Sequence, residues 1–584
     1  MRHTLRSLLR SPSFSSVAVA CIALGVAVTT TMFTAVYGLF VRALPYTDAG
    51  RLVAVRAQNP QKNITGSRVS WADYASWRED SRSFEGLGVW EAVFPTLSGD
   101  EADVERVAGA WVSSNVLEIV GVRPLIGRTF APDEERRGHE RVVVIGYELW
   151  RRRFGGSASA VGRTVDINYA PYVVVGVMPP GFDFPERSQV WLPYAADPSR
   201  ERHGDRTFVA IGRMKAGSSL AAVRTDLSAI ARRLETEFPR ENQGWDADVV
   251  SLRDDLVGSL RRPILILLGA AGLVLLIACV NVTNLILARG EDRRREMAVR
   301  MAIGAGRDRV VAHTLSETIV LSVVGGLVGL ALASFGIRML VLAFPDGVPS
   351  YVTLAIDAKV AMFTTVVSLA AGTLFGIVPA MRASRVDVGA LRQGGSSGGA
   401  AGQRMRAALM TAELAMSLVL LVGATLLIRS ELSIERGLGF DTRGMLSFRV
   451  PLPGNKYRGP ARRAFVERLM TRVRAVEGVE IVGSSQGLPF GPLAGSYDRA
   501  RVHIQGRPEP GEGEPLTLRQ EISAEYFRAL GAPILRGRAL NATDFGDALS
   551  TAIVNDAFVR HYSRQRIRWG HRSNCSDVTR LLHG

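Results

Sequence analysis

The chain contains the apolar stretch PILILLGAAGLVLLIACVNVTNLILA (263–288), which carries no charged side chain from end to end. A helix that crosses a bilayer needs about 20 mostly apolar residues, because unpaired backbone N–H and C=O groups are costly in hydrocarbon. The stretch meets that length, whereas buried helices of soluble domains are usually shorter. It therefore predicts a membrane-spanning helix and an integral membrane protein.

Four other segments have the same apolar character, so the sequence predicts five spanning helices in all. These segments are residues 14–41, 312–342, 360–381 and 407–428. The first of them follows three arginines and could alternatively be a cleaved signal peptide. It is longer than the apolar core of a signal peptide, and no small-x-small cleavage site follows Phe40, so a membrane anchor is favoured.

The basic residues predict how the spans are oriented. Arginine and lysine in short loops resist translocation, so loops rich in them stay in the cytoplasm. Residues 1–13, 289–311 and 382–406 are rich in arginine, whereas FPDGVPSYVTLAID (344–357) has neither Arg nor Lys. These three Arg-rich segments, which include the N-terminus, are therefore predicted to be cytoplasmic.

Two large segments, residues 43–262 and 429–562, are then left on the extracytoplasmic side. The basic loops explain much of the net charge of +16 in this chain of 584 residues, since they lie beside an anionic lipid surface. No zinc-finger or RNA-recognition pattern is present, so we predict membrane lipid and not nucleic acid as a partner. The three cysteines form no CxxC pair and predict neither a disulfide framework nor a metal site.

Residues 43–262 are predicted to form an α+β domain. Val-rich segments such as RLVAVRA (51–57) and YVVVGVM (172–178) have the composition of strands. The strand-like segments FVAIGRM (208–214) and ADVVSL (247–252) flank a predicted helix whose apolar residues recur every 3.6 positions. The apolar face of that helix consists of Leu220, Val223, Leu227, Ile230 and Leu234.

Residues 429–562 are predicted to be a second α+β domain that repeats the first. VSSNVLEIVGVRPLIGRTF (112–130) aligns without a gap with ISAEYFRALGAPILRGRAL (522–540). LSFRV (446–450) and VEIVGSS (479–485), with an amphipathic segment between them, predict another strand–helix–strand unit. We therefore interpret the chain as two tandem units joined by a flexible Gly/Ser-rich linker within residues 382–406.

The second unit is expected to be incomplete. The tail at residues 563–584 has no strand period and is rich in Arg, Ser and His, whereas the first domain continues with a Gly-rich turn and a Val-rich strand. A reading-frame change or a truncated gene is the favoured interpretation, and a genuine basic extension is the alternative. The complete first unit consists of a span, an outer domain and three further spans.

Some polar and small residues lie inside the predicted spans. Polar side chains in lipid usually have a function or bond to another helix, and GxxxG pairs mark close helix packing. The polar residues are Asn281, Asn284, Glu317 and Glu413, and the glycine pairs are Gly325/Gly329 and Gly372/Gly376. A substrate pathway is one interpretation of the polar set, but interhelical bonding or snorkelling to the interface is favoured.

Catalytic motifs are absent from the sequence. There is no GxxxxGK[ST] phosphate-binding loop, no HExxH and no GxSxG. We therefore expect no enzymatic activity, no cofactor and no bound metal in this chain.

The loop after the second span has a distinctive sequence. NVTNLILARGEDRRREMAVRMAIGAGRDRVVAHTLSETIVLSVVGGLVGL (281–330) resembles the hallmark segment of MacB/FtsX-type ABC transporter permeases. The opening LRSLLRSPSFSSVAVACIALGVAVTTTMFTAVYGLFVRALPY (5–46) is similar to their first span. The fifth span and the repeat resemble the duplicated branch of that superfamily, which lacks its own ATPase, so a tandem duplicated permease with an incomplete second copy is implied.

The resemblance implies a separate cytoplasmic ABC ATPase that docks on a helix within residues 289–311. The implied docking residues are Glu296, Met297, Arg300, Met301 and Gly304. Met297 and Met301 are one turn apart and suit an apolar groove, while Glu296 and Arg300 suit its polar rim. The alternative is an ordinary amphipathic helix at the membrane surface.

Two classes of function follow from the resemblance. The chain is expected to be a bacterial inner-membrane permease subunit for export or mechanotransmission, as a homodimer or heterodimer with periplasmic domains and a possible periplasmic adaptor or substrate. The alternative is a membrane protein without transport activity, whose periplasmic domains regulate a partner in the cell envelope or in division, or an inactive truncated paralogue.

Overall fold

The computed structural model describes most of the chain. The described residues are 11–98, 104–185, 187–292, 307–342, 351–383, 400–436, 440, 444–450, 452, 457, 459–487, 498–500, 502, 517–541, 544 and 551–562. The chain divides into two compact units, the first comprising residues 1–49 and 252–431 and the second residues 50–251 and 432–584.

Helices and strands are numbered in chain order. The helices are α1 Pro12–Val36, α2 Trp71–Asp80, α3 Val116–Val120, α4 Tyr147–Phe154, α5 Leu220–Glu237, α6 Pro239–Asn242, α7 Leu252–Val257, α8 Arg261–Asp292, α9 Arg307–Leu342, α10 Ala358–Ala383, α11 Ala400–Arg436, α12 Pro460–Arg474, α13 Tyr526–Ala529 and α14 Asp556–Tyr562. The strands are β1 Leu52–Asn59, β2 Ile64–Ser67, β3 Val69–Ser70, β4 Phe84–Val93, β5 Thr96–Ser98, β6 Glu105–Arg106, β7 Gly109–Val112, β8 Ile126–Gly127, β9 Val142–Ile145, β10 Thr164–Ile167, β11 Ala170–Val177, β12 Val190–Pro193, β13 Arg206–Met214, β14 Asp246–Ser251, β15 Asp498–Ala500 and β16 Thr517–Arg519.

The first unit is helical. Four stretches among the described residues are long and apolar enough to cross a membrane, namely Pro12–Val41, Leu252–Arg289, Leu315–Leu342 and Arg404–Ser430. They coincide with four of the predicted spans. Ala358–Leu374, within α10, is a shorter apolar helix at the place of the predicted span 360–381, so the number of five spans stays a prediction.

The second unit contains one large mixed sheet in residues 50–251. Its strands follow the order β14-β1-β13-β4-β7-β12-β9-β11-β10-β5-β6. β1, β13, β4 and β7 are antiparallel neighbours, whereas β7 pairs with β12 and β9 with β11 in parallel. The predicted α+β character of this segment is confirmed.

Helix α5 covers one part of this sheet with the predicted apolar face. Val223, Leu227 and Leu234 are fully buried, and they pack in one core with residues of β1, β4, β13 and helix α2. Leu220 differs from the prediction, since it is 38% exposed. It is the first residue after the N-cap Ser219, whose hydroxyl accepts from the backbone N–H of Ala222, and the sheet does not cover that first turn.

A second core lies under the other part of the sheet. Val143, Ile145, Val174, Val190 and Leu149 are buried together between β9, β11, β12 and helix α4. The Val-rich segments predicted as strands supply most of this core. The domain therefore has two apolar clusters that one continuous sheet connects.

The later part of the second unit corrects two sequence predictions. LSFRV (446–450) and VEIVGSS (479–485) are not strands, although helix α12 lies between them as predicted. A strand needs a neighbour for its backbone N–H and C=O groups. In the described residues of this segment, β15 and β16 pair only with each other, and the second predicted strand forms only the isolated bridge Ser485–Ile522.

Candidate functional site

The residues implied to dock an ATPase are not part of the described structure. Glu296, Met297, Arg300, Met301 and Gly304 all fall within residues 293–306, outside the described ranges. The geometry described below therefore concerns the membrane helices, their outer ends and the extracytoplasmic domain.

The first glycine pair lies where α9 meets α1. A β-carbon added at Gly325 would lie 2.7 Å from Ile22 Cγ2, and one at Gly329 would lie 2.9 Å from the backbone oxygen of Ala23. Both distances are shorter than real contacts of this kind, so only glycine permits the two helix backbones to approach this closely. The neighbouring side chains of α1, including Ile22 and Val26, are buried at this contact.

The second glycine pair lies where α10 meets α9. A β-carbon at Gly372 would lie 2.6 Å from Ser322 Oγ, and one at Gly376 would lie 2.3 Å from Thr318 Oγ1. The hydroxyl groups on α9 therefore occupy the space that the glycines leave open. Both glycine pairs lie at contacts between membrane helices.

The intramembrane polar residues are distributed over three helices. Asn281 and Asn284 lie on α8, Glu317 on α9 and Glu413 on α11, and each of the four is partly buried. The buried Oδ1 of Asn284 has no hydrogen-bond partner among the described residues.

A set of buried threonines, which the sequence analysis did not single out, links the helices. Thr29 Oγ1 donates to the backbone oxygen of Ala271 on α8 at 3.2 Å, and Thr30 Oγ1 lies 3.0 Å from Thr364 Oγ1 on α10. Thr29 Oγ1 also donates to the backbone oxygen of Gly25, and Thr364 Oγ1 donates to that of Val360, so these hydroxyls are satisfied inside the apolar bundle. The run TTT at 29–31 was the available signal.

The outer ends of the membrane helices meet at a junction. After α1, the chain continues in one π-helical turn, Tyr37–Val41. The guanidinium of Arg253 on α7 donates to the backbone oxygens of Phe40 and Arg42, at 2.7 and 2.9 Å. It thereby satisfies carbonyl groups that a helix end leaves unpaired, and it ties the exit of the first span to the segment before the second.

Apolar contacts close the same junction. Leu39, Val257 and Val352 are buried together, so the end of the first span packs against α7 and against the segment before α10. A β-carbon at Gly38 would lie 2.9 Å from the backbone oxygen of Thr353, which places that backbone directly on the π-helical turn. Three spans are therefore joined at their outer ends by polar and apolar contacts.

Within the extracytoplasmic domain, two neighbouring glutamates hold a loop in place. Arg128 donates from both terminal nitrogens to Glu134, at 2.7 and 3.0 Å. Glu135 accepts from the backbone N–H and the hydroxyl of Ser114 and pairs with Arg78 on α2. Because both carboxylates are occupied in this way, the loop links α2, α3 and the sheet.

A buried polar network lies at the N-terminal side of β13. Asp73 accepts from Asn242 at 2.9 Å, contacts His203 Nδ1 at 2.6 Å and pairs with Arg206 at 3.3 Å. The Arg206 guanidinium lies 3.8 Å from the centre of the Trp245 ring. These contacts pair the charged groups of the network and connect α2, α6 and β13. The network therefore has a structural role.

No group of three or more His, Cys, Asp or Glu side chains in the described part of the chain is placed to hold a metal ion. The geometry is that of helices which pack closely, bond through hydroxyls and meet at a junction outside the membrane.

Two family profiles match the chain. The profile of the MacB-like periplasmic core domain matches residues 15–230, and that of the FtsX-like permease C-terminal domain matches residues 268–388. Together they cover more than half of the chain. The first match begins in α1 and extends through the sheet domain as far as α5. The second match begins in α8 and includes α9 and α10.

Individual relatives agree with the profiles. The chain is 27% identical to the macrolide export ATP-binding/permease protein MacB of Burkholderia thailandensis, over 47% of this chain and 41% of that protein. It is 26% identical to the pyoverdine export ATP-binding/permease protein PvdT of Pseudomonas syringae pv. tomato, over 45% of this chain and 39% of that protein. The matched region is thus less than half the length of each relative. The solved periplasmic region of MacB from Actinobacillus actinomycetemcomitans covers 39% of this chain at 12% identity with a TM-score of 0.28.

The two matches confirm that the chain resembles MacB/FtsX-type ABC permeases, as its sequence predicted. The apolar helices and the match to a periplasmic core domain support an inner-membrane protein with a periplasmic domain.

Proposed function

We propose that this chain is the membrane subunit of an ABC-type system that transmits movement from the cytoplasm to its periplasmic domains. The observation that carries the proposal is the junction at which Arg253, Gly38 and the Leu39 cluster join the outer ends of three spans. Closely packed elements move as units and not as independent helices. Ser251 at the end of β14 directly precedes α7, and residues 43–51 connect the first span to β1, so a movement of the spans reaches the periplasmic sheet through the backbone.

The energy source is a separate cytoplasmic ABC ATPase. Relatives carry both functions in their names, ATP-binding and permease, but the matched region is less than half of each of them. This chain contains no GxxxxGK[ST] loop. The docking element is the segment with Glu296, Met297, Arg300, Met301 and Gly304, whose methionines suit an apolar groove.

The cargo is a small organic compound released to the outside of the inner membrane. The named relatives export a macrolide and pyoverdine, which supports this class and not a particular molecule. The glycine and threonine contacts pack the membrane helices closely, which favours movement of the periplasmic domains over passage between the spans. Asn281, Asn284, Glu317 and Glu413 then serve helix contacts or the membrane interface. Assembly as a homodimer or heterodimer is part of the same proposal.

The proposal includes a tandem duplication with five spans. Its support is a pair of equivalent contacts in the two periplasmic segments. Arg538 donates from both terminal nitrogens to Asp544 at 2.6 Å, and the backbone N–H of Asn541 donates to the same carboxylate at 2.8 Å. In the first segment Arg128, Ala131 and Glu134 stand at the matching positions and make the same bonds. The hydrogen bonds from Arg538 lower the pKa of Asp544 well below its usual range.

A second equivalence supports the duplication independently. The backbone N–H of Ser484 donates to Ser523 Oγ at 2.9 Å, as that of Val89 does to Ser113 Oγ at 3.0 Å. Ser523 aligns with Ser113 in the repeat found in the sequence. VEIVGSS (479–485) therefore takes the place of β4, although it is not a strand.

Docking of the ATPase tests the function. Met297→Asp together with Met301→Asp is expected to abolish co-purification of the ATPase, because a carboxylate in an apolar groove loses its hydration without gaining a partner. Met445→Asp makes the same chemical change in a periplasmic segment and should leave co-purification unchanged. If the double variant retains the ATPase at the wild-type yield while inserting normally, this segment is not the dock.

A further inference from the structure

The contact between α1 and α10 consists of successive side-chain contacts, called the ladder below, that lead to the periplasmic ends of the two helices. Thr30 and Thr364 form its deepest step, at 3.0 Å. Three residues after Thr30 on α1 and one residue before Thr364 on α10, the rings of Phe33 and Phe363 stack with their centres 3.7 Å apart and their planes at 5°. Lys359 is one turn above Phe363 on α10, and its Nζ lies 5.6 Å from the centre of the Tyr37 ring.

The ladder changes from apolar to cationic over one helical turn. Four residues of an α-helix rise about 6 Å. This rise is similar to the distance from the acyl chains of a bilayer to its phosphates. Phe33 and Phe363 are partly exposed and lie within the apolar parts of their helices. Lys359 is exposed at the end of the helix, at the level where headgroups lie.

The described groups at the top of the ladder include two cations and one acid. Asp357 caps α10, since its carboxylate accepts from the backbone N–H groups of Val360 and Lys359 at 3.0 Å each. These bonds, with the charges of Arg42 and Lys359, lower the pKa of Asp357, so it stays ionised. Arg42 and Lys359 therefore share this one described acid, and the other acid of FPDGVPSYVTLAID, Asp346, lies outside the described residues.

We propose that Lys359 and the Tyr37–Phe33–Phe363 aromatic strip form a binding site for an anionic phospholipid of the periplasmic leaflet. The ammonium of Lys359 binds the headgroup phosphate, and the acyl chain lies along the exposed edges of Phe33 and Phe363. The argument for this occupant is complementarity of both charge and polarity along one line. A soluble anion would find the cation but not the apolar strip beneath it.

Spin-labelled lipids test the site in the full chain. The chain is reconstituted in nanodiscs of phosphatidylcholine with a minor fraction of phosphatidylglycerol, and the immobilised fraction of each labelled lipid is measured. Lys359→Gln is expected to lower the preference for phosphatidylglycerol about fivefold, the effect of one interfacial cation. Lys359→Arg should keep the preference, because it keeps the charge.

Arg338 supplies a matched control. It is an exposed cation one turn from the outer end of α9, and among the described residues no aromatic ring lies over its guanidinium. Arg338→Gln should leave the lipid preference unchanged. Phe363→Leu should shorten the immobilisation of both lipids without changing their ratio, since it removes ring contact and no charge.

Three results would overturn the proposal. They are an unchanged preference in Lys359→Gln, an equal loss in Arg338→Gln, and full displacement of the labelled lipid by inorganic phosphate. The last result would mean a soluble anion site. Gel filtration and thermal unfolding of each variant exclude misfolding as the cause, and Lys359→Arg provides the folded reference.

Discussion

At the scale of single residues, Asp226 on α5 shows how one carboxylate positions a helix. Its Oδ2 accepts from Ser81 Oγ at 2.7 Å and from the backbone N–H groups of Arg82 and Ser83 at 3.1 Å each. These donors form the turn between α2 and β4. Burial raises the pKa of Asp226, but the hydrogen bonds from the turn outweigh it and hold the pKa below its ordinary value.

Replacement of Asp226 is therefore expected to lower stability in a pH-dependent way. Asp226→Ala should cost about 1.5 kcal/mol near neutral pH, since it removes charge-assisted bonds from a partly exposed group. A depressed pKa means that this stabilisation is complete above the ordinary pKa near 4 and is lost as the pH falls through the lower folded value. Denaturant unfolding from neutral to acid pH should show the wild type and the variant converging at low pH.

Asp166 on β10 provides the control for that measurement. It is exposed and far in sequence from the α2–β4 turn. Asp166→Ala should change stability by less than about 0.5 kcal/mol at every pH. A pH-independent difference between wild type and Asp226→Ala would contradict the role of the ionised carboxylate.

At the scale of secondary-structure elements, glycine decides how closely the membrane helices pack. Gly325 and Gly329 on α9 face α1 at distances that no side chain permits. In lipid no hydrophobic force drives helices together, so close van der Waals contact and interhelical hydrogen bonds supply the association energy. The hydroxyls of Thr29 and Thr30 add such bonds at the same bundle.

A larger residue at the α1–α9 contact should separate the helices. Gly329→Val is expected to destabilise the bundle by about 1–3 kcal/mol, because its β-carbon would meet the backbone oxygen of Ala23 at 2.9 Å. Gly423→Val on α11 makes the same change where a β-carbon meets nothing within 4 Å in the described structure. Thermal unfolding in detergent should show a lower midpoint for the first variant alone; equal midpoints would mean that the α1–α9 contact adapts freely.

At the scale of the whole molecule, the orientation of the chain in the membrane determines which segments can meet an ATPase. The arginine-rich segments predict a cytoplasmic side for residues 289–311 and 382–406. The match of residues 15–230 to a periplasmic core domain agrees with the predicted exterior of the first large segment. The positions of the termini remain predictions from charge.

Cysteine labelling tests that orientation. Single cysteines at Ser218 and Ser484 should react with an impermeant thiol reagent in intact spheroplasts, because both positions are predicted to be periplasmic. A cysteine at Ser396, in the predicted cytoplasmic linker, should react only after the membrane is opened. The native Cys575 is replaced in every variant of the test to remove its signal. Protection of Ser218 with labelling of Ser396 would reverse the topology.

The second periplasmic segment shows that composition alone does not predict a strand. RLVAVRA (51–57) and LSFRV (446–450) have similar composition, yet the first is a strand and the second is not. β1 has β13 and β14 as neighbours on its two sides, and these supply its backbone bonds. Composition gives a segment a preference for extended structure, but the segment becomes a strand only when a neighbouring strand bonds to its backbone.

The sequence by itself determined the long apolar helices, the resemblance to MacB/FtsX-type permeases, the α+β character of the first periplasmic domain and most of the buried face of α5. These features depend on local composition, on the period of the apolar residues and on charge, all of which can be obtained from the sequence alone. Only the tertiary structure decided the junction of Arg253 with Phe40 and Arg42 and the stack of Phe33 on Phe363. Those partners are hundreds of residues apart in the chain, and no local pattern states which distant backbone or ring a side chain will meet.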